Sequence, residues 1–165
     1  MRPVHKAESN QPHPMHNPIR ASSSNTNPRA RILVVDDDPV ICGIHAMVLE
    51  VEGYEVATAD DGADALTQIA AGRFDLVLTD RNMPRLDGAS MVLALRSAGS
   101  QIPVVMVSGS IGHIPLPPVV ERELSAAMAK PVRIADMLAV VARTLKRAPR
   151  RESLRRFADD LEFTP

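Results

Sequence analysis

Aromatic side chains are nearly absent: there is no Trp, one Tyr and three Phe in 165 residues. Single-strand nucleic-acid binders stack bases on such rings, so that class is disfavoured. Net charge is also missing, at −1, which removes the basic surplus that draws proteins to phosphate backbones. One cysteine, Cys42, cannot build a disulfide framework and fits a reducing cytoplasm. No apolar stretch reaches membrane-spanning length, and residues 1–27 lack the apolar centre of a signal peptide. A hydrophobic content of 45% over this length suffices for one core with tails. The expectation is a cytoplasmic globular protein without nucleic-acid or membrane partners.

What is present begins with Asp36-Asp37-Asp38, placed directly after the apolar run Ile32-Leu33-Val34-Val35 and before Pro39. A run apolar at consecutive positions reads as a strand buried on both faces, as in a parallel sheet. Open α/β sheets put their ligands at the C-terminal ends of such strands. Crowded carboxylates cost free energy unless something positive sits among them. A hard divalent cation with oxygen ligands meets that need, so a Mg²⁺ site is expected.

Residues 1–29, rich in Pro, Asn, Ser and His, read as a disordered tail; His5, His13 and His16 match no metal-site spacing. The folded region is expected over 30–147, with a second tail over 148–165. After the first strand, Asp38 suits an N-cap with Pro39 at the first helical position. That helix carries Ile41, Ile44, Val48 and Val51 as its expected inner stripe and stops at Gly53. A strand over 54–59, a helix led by Asp61-Gly62, a strand over 74–79 closed by Asp80, and a helix after Asp87-Gly88 follow. A buried strand over 103–107 and an amphipathic helix over 133–145, with Ile134, Met137, Leu138, Val141 and Leu145 inward, complete the alternation. Alternating strands and helices imply a parallel sheet with right-handed crossovers. The stretch 115–130 conflicts with itself. Pro115, Pro117 and Pro118 oppose a helix, whereas 119–130 has helical propensity, leaving only 126–129 for a fifth strand.

Four strand ends thus deliver Asp36 and Asp37, Asp80, Ser108 and Lys130 to one sheet edge. Carboxylates for a metal, a hydroxyl donor and an ammonium are what a phosphoryl group with Mg²⁺ needs. In these motifs the chain resembles the response regulator receiver domain of two-component signalling, the family of the chemotaxis receiver that exemplifies the flavodoxin-like fold. The motifs are Val34-Val35-Asp36-Asp37, Thr79-Asp80-Arg81-Asn82-Met83-Pro84 with Asp87-Gly88, Val107-Ser108-Gly109, and Lys130-Pro131. The resemblance covers 31–147. It implies a flavodoxin-like (βα)5 sandwich with sheet order 2-1-3-4-5 and a short or irregular fourth helix.

It further implies that Asp80 is the phosphoacceptor and that Mg²⁺ is the cofactor. Asp37, Asp80 and the backbone carbonyl of Asn82 would ligate the metal, with Asp36 acting mainly through a metal-bound water. Lys130 would pair with the acceptor, and Ser108 would move to the phosphoryl oxygen. Gly109 would keep the donor's approach open, and Asn82 and Ser110 would tune hydrolysis of the acyl phosphate. The implied donor is a sensor histidine kinase or a histidine phosphotransfer protein; the implied output is an unidentified downstream protein or a phosphorelay step.

One departure stands out. Where the family commonly has an aromatic side chain that changes orientation on activation, this chain has Ala127, so output without that switch is expected. In the last segment, Leu154, Phe157 and Leu161 form a short apolar stripe at helical spacing, set among Arg150, Arg151, Arg155 and Arg156 and followed by Asp159, Asp160 and Glu162. Nothing there resembles an effector module, so a stand-alone receiver is expected. The other reading is a haloacid-dehalogenase-type phosphatase with Asp36 as nucleophile, which would leave Asp80 and its loop without a role.

Overall fold

A computed structural model of the chain describes residues 30–109 and 115–148. The expected tails apart from Ala148, and the expectation placed on Ser110, lie outside the described residues. Five strands alternate with five helices: β1 (Arg31–Val35), α1 (Pro39–Val51), β2 (Glu55–Ala59), α2 (Gly62–Ala71), β3 (Leu76–Asp80), α3 (Gly88–Ser97), β4 (Val104–Ser108), α4 (Pro118–Glu123), β5 (Ala126–Ala129) and α5 (Ile134–Arg147). All pairings are parallel, and the sheet order is β2-β1-β3-β4-β5, as the resemblance implies.

The inner strands explain their own composition. Every residue of β3 and β4 is buried, because helices cover both sheet faces. Side chains alternate between two cores. Leu33, Val35, Val77 and Met106 face α2, α3 and α4, whereas Ile32, Val34, Leu78 and Val105 face α1 and α5.

Asp38 caps α1 as expected, accepting from the amides of Val40 and Ile41. The inner stripe of α1 is misplaced in the sequence reading. Cys42 and Leu49 are buried, Ile44 is 40% exposed and Val51 is 81% exposed. The helix is apolar nearly all round, so periodicity alone could not choose its inward face. Ile134 is likewise 49% exposed rather than inward, standing at the first turn of α5.

The contested stretch resolves into both elements. Pro118 starts α4 within its first turn, where a missing N–H costs nothing, and the helix ends after six residues. No side chain caps it; tertiary bonds hold it instead. Arg96 of α3 pairs with the Glu123 carboxylate at 3.0 Å and donates to the carbonyls of Glu123, Ser100 and Ile102. Strand β5 then pairs with β4 over all four of its residues.

Candidate functional site

The register of β1 on β3 pairs Val35 with Thr79, so Asp36 and Asp80 come side by side at the C-terminal sheet edge. Asp36 follows β1, and its amide donates to the Ala59 carbonyl of β2 at 3.2 Å. Its Oδ1 accepts from the Asp38 amide at 3.0 Å, an Asx turn that bends the chain into α1. Asp80 is the last residue of β3, and its Oδ2 accepts from the Asn82 amide at 2.6 Å. Both carboxylates are almost fully buried, 3% and 7% exposed.

Lys130 joins them. Its Nζ lies 2.7 Å from Asp80 Oδ1 and 3.2 Å from Asp36 Oδ2. The residue follows β5, and its amide donates to the Ser108 carbonyl at 3.0 Å, so the strand pairing sets where the side chain starts. Burial alone would push the ammonium down, but bonding to Asp80 and then the Asp36 charge outweigh it, and Lys130 is held above its ordinary value. Ser108, fully buried at the end of β4, completes the edge.

Asp37 is exposed and lines a shallow cleft with Pro39, Asp60, Pro84 and Arg85. Among the described residues, no three carboxylate, imidazole or thiol groups gather closely enough to hold a metal by themselves. The ammonium of Lys130 occupies the space between the two buried acids. The donor chemistry nonetheless fits a hard divalent cation: Asp36, Asp37 and Asp80 bring only oxygen, and a single ammonium opposes three carboxylates.

The loop from Asp80 to α3 is fixed by features that local patterns only partly reveal. Gly88 donates its amide to the Arg81 carbonyl at 2.9 Å, and a Cβ there would lie 2.2 Å from the Asp80 carbonyl oxygen. Only glycine allows that approach. Met83 is buried in the α2–α4 core and anchors the loop. A cross-loop clip was not foreseen. Asp61, fully buried, caps α2 through Oδ1 and forms an ion pair through Oδ2 with Arg85, which has φ of 60°. Beside it the Gly62 amide donates to the Leu86 carbonyl at 3.0 Å. The Asp64 amide, followed by that of Ala63 and by Arg85, holds the Asp61 carboxyl below its ordinary value despite burial. The Asp-Gly pair signals the cap; nothing local signals a partner 24 residues away.

His45 is half-buried on α1, and burial pushes its imidazole down, with Asp36 and Lys130 acting in opposite senses. Ala127 is exposed on β5 and carries no ring. A Cβ on Gly109 would meet nothing within 4 Å, so its small size serves no internal packing among the described residues. No helix of the described residues is long and apolar enough to cross a membrane.

Comparison with known proteins agrees with this geometry. The family model for the response regulator receiver domain matches residues 32–142. The transcriptional regulatory protein PrrA of Mycobacterium tuberculosis is 38% identical over 117 residues, covering 71% of this chain and 50% of PrrA. The chain therefore spans about half the length of that curated relative. Among solved structures, the receiver domain of NtrX from Brucella abortus is 31% identical with a TM-score of 0.64, covering 71% of this chain and 99% of that one. The response regulator TrrA from Thermotoga maritima, in complex with Mg²⁺ and BeF, is 26% identical with a TM-score of 0.64, covering 70% and 98%. With a sheet in order 2-1-3-4-5, two buried acids bridged by a lysine at its C-terminal edge, and a family match across nearly the whole folded region, the chain belongs to the response regulator receiver domain family.

Proposed function

We propose that this receiver accepts a phosphoryl group on Asp80 from a phosphohistidine of a sensor histidine kinase or histidine phosphotransfer protein. The observation that carries the reading is the Lys130 ammonium bridging Asp36 and Asp80, both buried, at the sheet edge where ligands bind. A carboxylate oxygen of Asp80 attacks phosphorus; the new P–O bond forms as the P–N bond breaks, and the departing imidazole nitrogen takes up a proton. The Asn82 amide and Lys130 hold the carboxylate in one orientation beforehand. After transfer, Lys130 is placed to offset charge on the phosphoryl oxygens, and the Ser108 hydroxyl to donate to one of them. Asp37, Asp80 and the Asn82 carbonyl would hold Mg²⁺, with Asp36 in support. The cation supplies charge neutralisation on the phosphoryl oxygens.

The phosphatase reading has lost its footing. The family match is to the receiver domain, and a phosphatase with Asp36 as nucleophile would leave Asp80, the acid at the end of the central strand, without a role. Downstream, the output is a protein contact or a phosphorelay step made without an aromatic switch, because position 127 is alanine. Incubation with acetyl phosphate and Mg²⁺, followed by intact-mass measurement, tests the reading. One hydroxylamine-labile phosphate is expected, abolished by Asp80→Asn and by EDTA. A phosphate that survives Asp80→Asn would refute the assignment.

A further inference from the structure

The outer face of α1 is covered by no described element. Val40, Ile44, Met47 and Val51 recur at i, i+4, i+7 and i+11, and all four are exposed. A surface helix normally carries charged side chains outward; between Pro39 and Leu49 this one offers only His45. A continuous exposed apolar stripe of this kind marks a contact surface.

We infer that the chain's own C-terminal segment, residues 149–165, docks on this stripe. The segment brings the matching pattern, Leu154, Phe157 and Leu161 at i, i+3 and i+7. It also starts from the right place. Helices α1 and α5 pack on the same face of an all-parallel sheet, and both run back from the C-terminal edge, so they finish at the same edge. The segment therefore enters beside Val51. Residues 149–153 reach about 16 Å when extended, beyond the about 10 Å that separates packed helices. From Leu154 to Leu161 a helix covers about 10 Å, within the about 16 Å from Val40 to Val51.

Charge favours the same direction. The last turn of α1 has no basic residue, and Glu50 and Glu52 are exposed at its electronegative end. Arg150, Arg151, Arg155 and Arg156 arrive there first. Asp159, Asp160 and Glu162 follow, alongside the stretch of α1 that carries no acidic side chain. Covalent attachment gives this occupant an effective concentration near the millimolar range, which a second copy or another protein lacks at equal contact quality. The inference does not depend on phosphotransfer to Asp80.

Two measurements on the full chain test it. In the methyl NMR spectrum, Leu154→Asp/Phe157→Asp is expected to move the resonances of Ile44, Met47 and Val51 while leaving those of Leu76 and Leu78 in place. From the other side, Met47→Asp is expected to speed hydrogen exchange of residues 154–161 at least tenfold. A Met47→Cys/Phe157→Cys chain, oxidised when dilute, is expected to close an intrachain disulfide. A disulfide between chains would overturn the inference in favour of a second copy. Unmoved methyl resonances and unchanged exchange would overturn it in favour of another protein partner.

Discussion

Ser108 and Lys130 are joined through their backbones: the Lys130 amide donates to the Ser108 carbonyl at 3.0 Å, so the hydroxyl and the ammonium are anchored to one hydrogen-bonded ladder. Lys130 then crosses the end of β4 to reach two acids, one just after β1 and one closing β3. Groups separated by up to 94 residues in sequence thereby form one electrostatic unit.

Removing the ammonium exposes that unit's cost. Lys130→Ala is expected to lower stability by about 1–3 kcal/mol, less than the about 3–5 of a fully buried pair because a third of the lysine side chain is exposed. Urea unfolding measures this. In an Asp80→Asn background the same substitution is expected to cost less, and equal costs in both backgrounds would show that the pair is not coupled.

Two glycines should behave in opposite ways. Gly88→Ala places a methyl group against the Asp80 carbonyl and is expected to destabilise by about 1–3 kcal/mol or more, with reduced phosphorylation of Asp80. Gly43→Ala, in the middle of α1 with no atom within 4 Å, is expected to stabilise by about 0.5–1 kcal/mol. Thermal unfolding of both variants checks the contrast.

Acid titrates the cross-loop clip. Asp61 is held below its ordinary value, so the native state binds fewer protons there than the unfolded chain. Its contribution is present above the ordinary carboxylate range and is lost as pH falls through and below that range. Asp61→Asn is expected to lower stability at pH 7 and to flatten the fall of stability below about pH 4. Unfolding midpoints measured from pH 3 to pH 7 decide it; parallel curves for both proteins would reject the clip as their source.

Arg96 carries the short fourth helix. Arg96→Ala leaves the carbonyls of Ser100, Ile102 and Glu123 without this donor, and is expected to cost about 1–3 kcal/mol. Hydrogen exchange should accelerate most in α4. Uniform acceleration throughout the domain would show that α4 does not depend on this residue.

Strand ends were legible in the sequence because inner strands of a covered parallel sheet are apolar at every position. Asp36, Asp80 and Ser108 each follow or close such a run, whereas Lys130 follows the short edge strand β5, whose residues alternate between half-buried and exposed. Asp38 and Asp61 announced helix starts through a carboxylate ahead of Pro or Gly. The inward face of α1 was illegible because almost all its residues are apolar, and burial there is decided by the strand and α5 side chains that Cys42 and Leu49 meet on that face of the sheet. The Arg85–Asp61 and Arg96–Glu123 pairs were equally hidden. Each joins residues far apart in sequence, and only the completed fold gives them a common address.

The alternation along β3 has a practical corollary. Val77 and Leu78 are adjacent in sequence yet belong to separate apolar compartments, divided by one thickness of backbone. Trimming the first loosens the layer that carries the short fourth helix; trimming the second loosens the layer that carries the α1 stripe. An engineer could therefore soften either side of this protein while leaving its acidic rim in the hands of the other.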